Sequence, residues 1–315
     1  MYESFYGLKE KPFSLLPDPA FLFLAKQHTS ALAMLEYGLI NQAGFTLITG
    51  DIGCGKTTLI RHLLNNVERN ITVGVLSNTQ RAIGELLQWV LLAFNLDYRG
   101  KDKVALYETF FNFINTEYAK NRRTVLIIDE AQNLGVETLE ELRMLSNVNA
   151  DKDQIIQLIL VGQPELRAVI ARPELTQFSQ RVAVDYTLSP LSVEQTRSYI
   201  THRVSVAGGP GSLFDPDACD MIYHAARGVP RLINVLCDTA LVYGYADGAK
   251  TITAEIAREV VEDKADSIVF SNRKKPDALS KDSNIGKANT LSFDEGDAAN
   301  RELFRGLFSS LQAKR

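Results

Sequence analysis

Residues 50–57 read Gly50-Asp51-Ile52-Gly53-Cys54-Gly55-Lys56-Thr57, directly after the apolar run Phe45-Thr46-Leu47-Ile48-Thr49. The spacing G-x-x-x-x-G-K-T between a buried strand and a helix predicts a loop that wraps phosphate groups. The glycines let backbone N–H groups turn inward around an anion. Lys56 is then placed to reach β- and γ-phosphate oxygens, and the Thr57 hydroxyl to hold Mg2+. The helix that continues through Thr58 presents its positive end to the charge. Asp51, Ile52 and Cys54 contribute backbone to the loop, so a cysteine is tolerated at 54.

Such a loop requires an acidic partner. Thr124-Val125-Leu126-Ile127-Ile128-Asp129-Glu130 is an apolar strand ending in two carboxylates. Asp129 is expected to complete Mg2+ coordination through water, and Glu130 to orient and polarise the attacking water, a poor nucleophile when neutral. The strand Leu158-Ile159-Leu160-Val161 runs into Gly162-Gln163-Pro164-Glu165. Gln163, at a strand end beside the phosphates, fits a sensor of the γ-phosphate. Arg181 follows a short helical pattern, Pro173 to Gln180, and precedes the strand Val182–Tyr186. Exposed there, it can enter a neighbouring subunit's site and offset charge on the transferred phosphoryl group. Arg172 is the rival for that role, and a local salt bridge is the plainer reading of Arg181. Arg231 lies in Gly228-Val229-Pro230-Arg231, opening a helix of a second domain, where a guanidinium can couple a lid to the nucleotide.

Apolar runs at 45–49, 71–76, 124–128, 156–161 and 182–186 alternate with helical patterns at 56–66, 80–95, 105–119, 136–148 and 164–171. This alternation predicts an α/β fold, a parallel sheet sandwiched by helices that binds ligands at the carboxyl ends of its strands. After Ser189-Pro190-Leu191 the pattern turns all-helical. Ser192-Val193-Glu194-Gln195 fits a capping box, Gly208-Gly209-Pro210-Gly211 ends that helix, and Asp215-Pro216 reads as an N-cap with proline at the first helical position. Further helices are expected at about 216–227, 231–246 and 254–265. The domains are therefore residues 1–190, a nucleotide-binding domain with an N-terminal arm, and 191–268, a small helical lid. Residues 269–300 are polar and charged and read as a disordered linker. In residues 301–315, Phe304, Leu307, Phe308 and Leu311 form one stripe of an amphipathic helix. That stripe suits docking to a partner or an anionic membrane surface, or folding back on the body. The arm, with Phe5, Tyr6, Pro12, Phe13, Pro17, Pro19, Phe21 and Phe23, leads into a helical pattern from Lys26 to Ile40. It reads equally as a wall of the nucleotide site or as a strap with no nucleotide contact.

The chain has 315 residues and a net charge of −4. Residues 271–315 hold nine Lys/Arg against six Asp/Glu, so this tail is +3 and the remainder −7. An acidic body argues against an extended phosphate-binding face. Within that acidic body, the basic cluster Lys120-Asn121-Arg122-Arg123 precedes a buried strand. No apolar stretch approaches the roughly 18 residues that span a bilayer, and the start lacks a secretory pattern. Cys54, Cys219 and Cys237 have neither pairing nor metal spacing and suit free thiols in a reducing cytoplasm.

Phosphate loop, Asp-Glu strand end, strand-end Gln, arginine before the fifth strand and Gly-x-Pro-Arg in a helical lid occur in the order of an AAA+ ATPase, which the chain resembles over residues 1–268. Phe5-Tyr6-Gly7-Leu8 with Pro12-Phe13, Asp129-Glu130-Ala131-Gln132-Asn133-Leu134, Leu142-Arg143 with Leu145-Ser146-Asn147, and Gly162-Gln163-Pro164-Glu165-Leu166 resemble the general secretion pathway protein A (ExeA) family. Within that family the chain looks most similar to short members associated with exosortase and exopolysaccharide loci. The resemblance implies Mg-ATP binding and hydrolysis, homo-oligomers, and envelope secretion or exopolysaccharide machinery as partners. It assigns Lys56 and Thr57 to phosphates and metal, Asp129 to Mg2+ and Glu130 to water; Gln163, Arg181 and Arg231 carry over by position in the fold. The secretion members also carry a transmembrane segment and a peptidoglycan-binding domain, of which this sequence has neither. The competing readings are a DNA-binding transposition regulator and a non-hydrolysing, nucleotide-gated scaffold.

Overall fold

The structure, a computed structural model, describes residues 1–16, 18–66, 70–77, 85–150 and 153–265. The expected linker (269–300) and amphipathic tail (301–315) lie outside the described residues. The chain enters through α1 (Glu3–Tyr6) and α2 (Lys26–Ile40), then β1 (Phe45–Gly50), α3 (Lys56–Asn66) and β2 (Ile71–Leu76). It continues with α4 (Leu86–Ala93), α5 (Lys103–Ala119), β3 (Arg123–Ile128) and α6 (Val136–Leu145). A two-residue hairpin, β4 (Asn149–Ala150) and β5 (Asp153–Gln154), leads into β6 (Ile156–Gly162), α7 (Glu165–Ile170), α8 (Thr176–Ser179) and β7 (Val182–Leu188).

Five strands pair in parallel in the order β2-β3-β6-β1-β7. The central strands β1 and β6 are buried at every position, whereas the edge strand β7 alternates. A sheet covered on both faces needs continuous apolar strands in its middle, which is why β1, β3 and β6 read as unbroken runs. Successive side chains point to opposite faces. Phe45, Leu47, Leu126, Ile128, Leu158 and Leu160 accordingly join one core with α4–α8. Ile48, Val125, Ile127, Ile159 and Val161 join the other with α2, α3 and the lid.

The lid comprises α9 (Val193–Val206), α10 (Pro216–Ala226), α11 (Pro230–Ala246) and α12 (Ala254–Lys264). The capping box opens α9: Gln195 N–H donates to Ser192 Oγ, and Ser192 N–H to the Gln195 amide oxygen. As expected, Asp215 occupies the N-cap position of α10 with Pro216 at the first helical position, though its side chain makes no cap bond. Its backbone N–H donates to Ile252 O at 3.0 Å, tying α10 to the start of α12.

The N-terminal arm, grouped with residues 1–190 from the sequence, makes its aromatic contacts elsewhere. Its aromatic side chains find partners on the lid. Phe5 meets Tyr245 edge to face at 5.4 Å, Phe13 meets Phe214 at 5.6 Å, and Phe23 meets Tyr199 at 5.7 Å. Tyr2 OH donates to Asp238, and Lys9 N–H donates to Ala207 O at 2.8 Å. The strongest tie is Arg203 of α9, a buried guanidinium. It donates to Pro12 O (2.5 Å), Ser14 O (3.3 Å) and Tyr199 OH (2.8 Å) and lies over the Phe21 ring at 5.0 Å. The end of α2 is hydrogen-bonded to the sheet, with Arg123 and Gln157 donating to carbonyls of Gly38 and Leu39.

The candidate nucleotide site

The loop of residues 50–55 joins the carboxyl end of β1 to the amino end of α3. Gly53 and Gly55 have φ of +83° and +97°, conformations that L side chains rarely adopt. A Cβ at Gly53 would also lie 2.7 Å from Arg231 Cβ. Lys56 is buried and donates from Nζ to Gly50 O (2.7 Å) and Asp51 O (3.0 Å), which holds its ammonium inside the loop.

Thr57 Oγ1 donates to Asp129 Oδ2 at 2.8 Å. Asp129 is itself buried, and its Oδ1 accepts from Glu130 N at 2.9 Å. These oxygens come from helices and strands 72 residues apart in sequence, brought together because β1 and β3 both flank β6. A hydroxyl beside a carboxylate is a hard-oxygen pair suited to Mg2+, which takes one or two protein oxygens and fills its octahedron with water and phosphate. The described residues hold no cluster of three or more acidic, His or Cys side chains for a metal, so a protein cage is absent from them.

Glu130 takes the left-handed conformation, φ +54°, which turns its side chain off the line of β3. Its Oε2 accepts from Gln132 Nε2 (2.6 Å) and Gln163 Nε2 (3.4 Å). The structure thus brings Lys56, Thr57, Asp129, Glu130 and Gln163 to one end of the sheet. Arg231 joins them from the lid: its N–H donates to Gly53 O at 3.3 Å and its exposed side chain lines the cleft.

The cleft has a volume of about 330 Å³. The loop and Glu130 form its floor, Leu191, Tyr199, Arg203, Arg231 and Asn234 its lid wall, and arm residues Ser14–Leu16 and Phe21–Leu24 its third side. The arm is therefore a wall of the site as well as a strap on the lid.

Arg172 and Arg181 do not line this cleft. Val182 pairs in register with Phe45, and Leu188 with Gly50. At about 3.3 Å per residue, the start of β7 sits roughly 17 Å along the strands from the loop, at their opposite end. Arg181 is exposed there and donates to Ser146 Oγ at 3.2 Å; Arg172 is exposed just after α7. The basic cluster is occupied locally: Lys120 and Arg122 bind Glu117, and Arg123 binds Leu39 O.

Three side chains of the site escaped the sequence reading. His28 of α2 is buried with Nε2 3.1 Å from Cys54 O, and burial holds its pKa below the usual imidazole value, which the bond to Cys54 opposes. A carbonyl can only accept, so Nε2 carries the hydrogen. Arg203 and Gln132 are the others. Gln132 stands in the Asp129–Leu134 run and could have been found by its spacing from Glu130. Nothing in the sequence marked His28 or Arg203 out from ordinary helix residues. The three cysteines are buried and form no disulfide with one another, and no helix among the described residues is long and apolar enough to cross a membrane.

The family model described as "AAA domain" matches residues 40–170. The parallel sheet with its flanking helices has the fold of AAA-type P-loop proteins. Within that class the chain is a relative of General secretion pathway protein A of Aeromonas hydrophila, 38% identical over 256 residues. The match covers 80% of this chain and 46% of that protein, so the chain spans about half the length of its curated relative. Among solved structures, the ORC2 protein of Aeropyrum pernix in ADPNP-ADP complexes is similar with a TM-score of 0.59, 16% identity, and coverage of 81% of this chain and 71% of that one. Cdc6p of Pyrobaculum aerophilum is similar with a TM-score of 0.58, 19% identity, and coverage of 79% and 71%. At these identities the two structures establish the fold alone.

Proposed function

We propose that the chain is a Mg2+-dependent ATPase that acts as a motor or switch for an envelope secretion or exopolysaccharide system, working in the cytoplasm as a homo-oligomer. The observation that carries the catalytic part is the Thr57–Asp129 hydrogen bond with Glu130 turned beside it. Lys56 exchanges the loop carbonyls for β- and γ-phosphate oxygens. Thr57 and Asp129 hold Mg2+, which when bound neutralises charge on the phosphates. Glu130 accepts the proton of a water as its oxygen bonds to the γ-phosphorus, and ADP leaves with the bridging oxygen. Gln163 and Arg231 read the γ-phosphate from the strand end and the lid. Arg181 or Arg172, both exposed away from their own cleft, supplies positive charge to the next subunit. The secretion role is supported by the relative in Aeromonas hydrophila.

The test is ATP turnover against protein concentration for wild type, Lys56→Ala and Glu130→Gln, with and without double-stranded DNA. Specific activity that rises with concentration, with Lys56→Ala failing to bind and Glu130→Gln binding without turnover, is expected. Stimulation by DNA would instead favour a transposition regulator, and ATP binding with negligible turnover a nucleotide-gated scaffold.

A further inference from the structure

We infer that Gln132 is a positioning residue that links the aim of the Glu130 carboxylate to the end of strand β6. This rests on the ATPase reading of the site. Gln132 Oε1 accepts from Gln163 N–H at 3.0 Å, and Gln132 Nε2 donates to Glu130 Oε2 at 2.6 Å. The backbone N–H of Gln163 can only donate, so the amide oxygen must face it. The NH2 group is then forced toward Glu130, where it meets a carboxylate that can only accept when ionised. One side chain thus converts the position of the β6 backbone into the position of a proton acceptor.

The surroundings are shaped for this amide. Gly162 sits against it: a Cβ there would fall 3.0 Å from Gln132 Oε1 and 3.3 Å from Gln132 N, closer than side chains normally approach. Gln163 closes the triangle with its own amide, 3.4 Å from the same Glu130 oxygen. A shift of β6 when Gln163 meets a phosphate therefore moves Gln132 and, through it, Glu130. Charge-assisted bonds of this kind are short and directional, so a small rotation of the amide redirects the carboxylate.

Two measurements on the full chain test the link. Gln132→Met keeps the shape and removes both bonds; Gly162→Ala crowds the Gln132 amide oxygen (3.0 Å) together with the flexible end of Leu166 (2.8 Å), Glu130 not being among the nearest atoms, and a Leu166→Ala control in the same background relieves the Leu166 part. In hydrogen exchange by NMR, which needs no ATP, the Gln163 amide of Gln132→Met should lose at least about tenfold in protection. In steady-state turnover, both variants should lose at least about tenfold in kcat while KM for MgATP stays within about twofold, and the double variant should be no worse than Gln132→Met alone. Unchanged Gln163 exchange overturns the link whatever the turnover shows. Faster exchange with unchanged kcat leaves the amide a structural strut and also overturns it. Absence of turnover in wild type would defeat the ATPase reading, while the exchange result would still report separately on the tie.

Discussion

Arg231 N–H donates to Gly53 O at 3.3 Å, so the first turn of the longest lid helix is hydrogen-bonded to the phosphate loop through backbone, with the Arg231 stem and Val229 packed on Gly53. The guanidinium takes no part in that contact and remains exposed along the cleft. Arg231→Ala should therefore change thermal stability by less than about 0.5 kcal/mol, as an exposed substitution does. It should weaken ATP binding or turnover at least about fivefold. Calorimetric unfolding of the ligand-free protein, set beside nucleotide titration, checks both halves.

Thr57→Ala removes the hydroxyl that donates to Asp129. Thr57 is exposed, so the fold should hardly notice. The gain in ATP affinity that Mg2+ provides should shrink at least about tenfold, and Thr57→Ser should restore it. Isothermal titration with ATP in Mg2+ and in a chelator separates the two; equal loss in both would assign Thr57 to phosphate alone.

Gly228 turns the chain into α11 with φ +71°, and a Cβ there would lie 2.0 Å from Leu191 O. Its own carbonyl accepts from Leu191 N–H at 2.8 Å, which fixes the junction between sheet and lid. Gly228→Ala should cost about 3 kcal/mol or more from the clash and the left-handed backbone. Denaturant unfolding measures it, and Gly248→Ala, with the same sign of φ but open space around it, is the control for backbone strain alone.

Arg203→Met should destabilise by about 2–4 kcal/mol, because Pro12 O, Ser14 O and Tyr199 OH lose a charged donor. Limited proteolysis should then cut first between residues 9 and 24. An unchanged cleavage pattern would mean the aromatic contacts hold the arm without the guanidinium.

Glu117 is buried and accepts from Arg122 (2.6 Å), Thr72 (2.5 Å) and Lys120 (3.4 Å). The Arg122 bond, above all, lowers its pKa from 4.5 to about 2, against the opposing effect of burial. The unfolded chain therefore takes up the proton first as the solution is acidified. The stabilisation is whole above about pH 4.5 and disappears as pH falls toward 2. Unfolding midpoints measured across that window should drop more steeply in wild type than in Glu117→Gln.

The strands were legible because β1, β3 and β6 are buried on both faces and read as apolar runs, and the glycines and lysine of the loop sit at spacings that chemistry dictates. The nucleotide residues followed from two strand ends. What stayed hidden depended on side chains meeting across distant segments. Arg203 looks like any polar position of α9 until Pro12 and Ser14 lie beside it. His28 falls in the first turn of α2, and only the fold shows that its neighbour is Cys54. The β4–β5 hairpin has too few residues to show a period. Asp215 beside Pro216 marked the start of α10 correctly, but the bond of its N–H to Ile252 O joins segments too far apart in sequence to be foreseen.

The packing of the arm on the lid has a consequence for how the molecule is made. Tyr2, Tyr6, Leu8 and Phe13 leave the ribosome before any strand of the sheet, but α9–α12, with which they share a core, emerge only after β7. At roughly 5–20 residues per second, these side chains wait on the order of ten seconds or more while the whole sheet is synthesised. The lid is thus assembled from both ends of the described chain with the sheet inserted between them. Its completion reports that translation has reached α12.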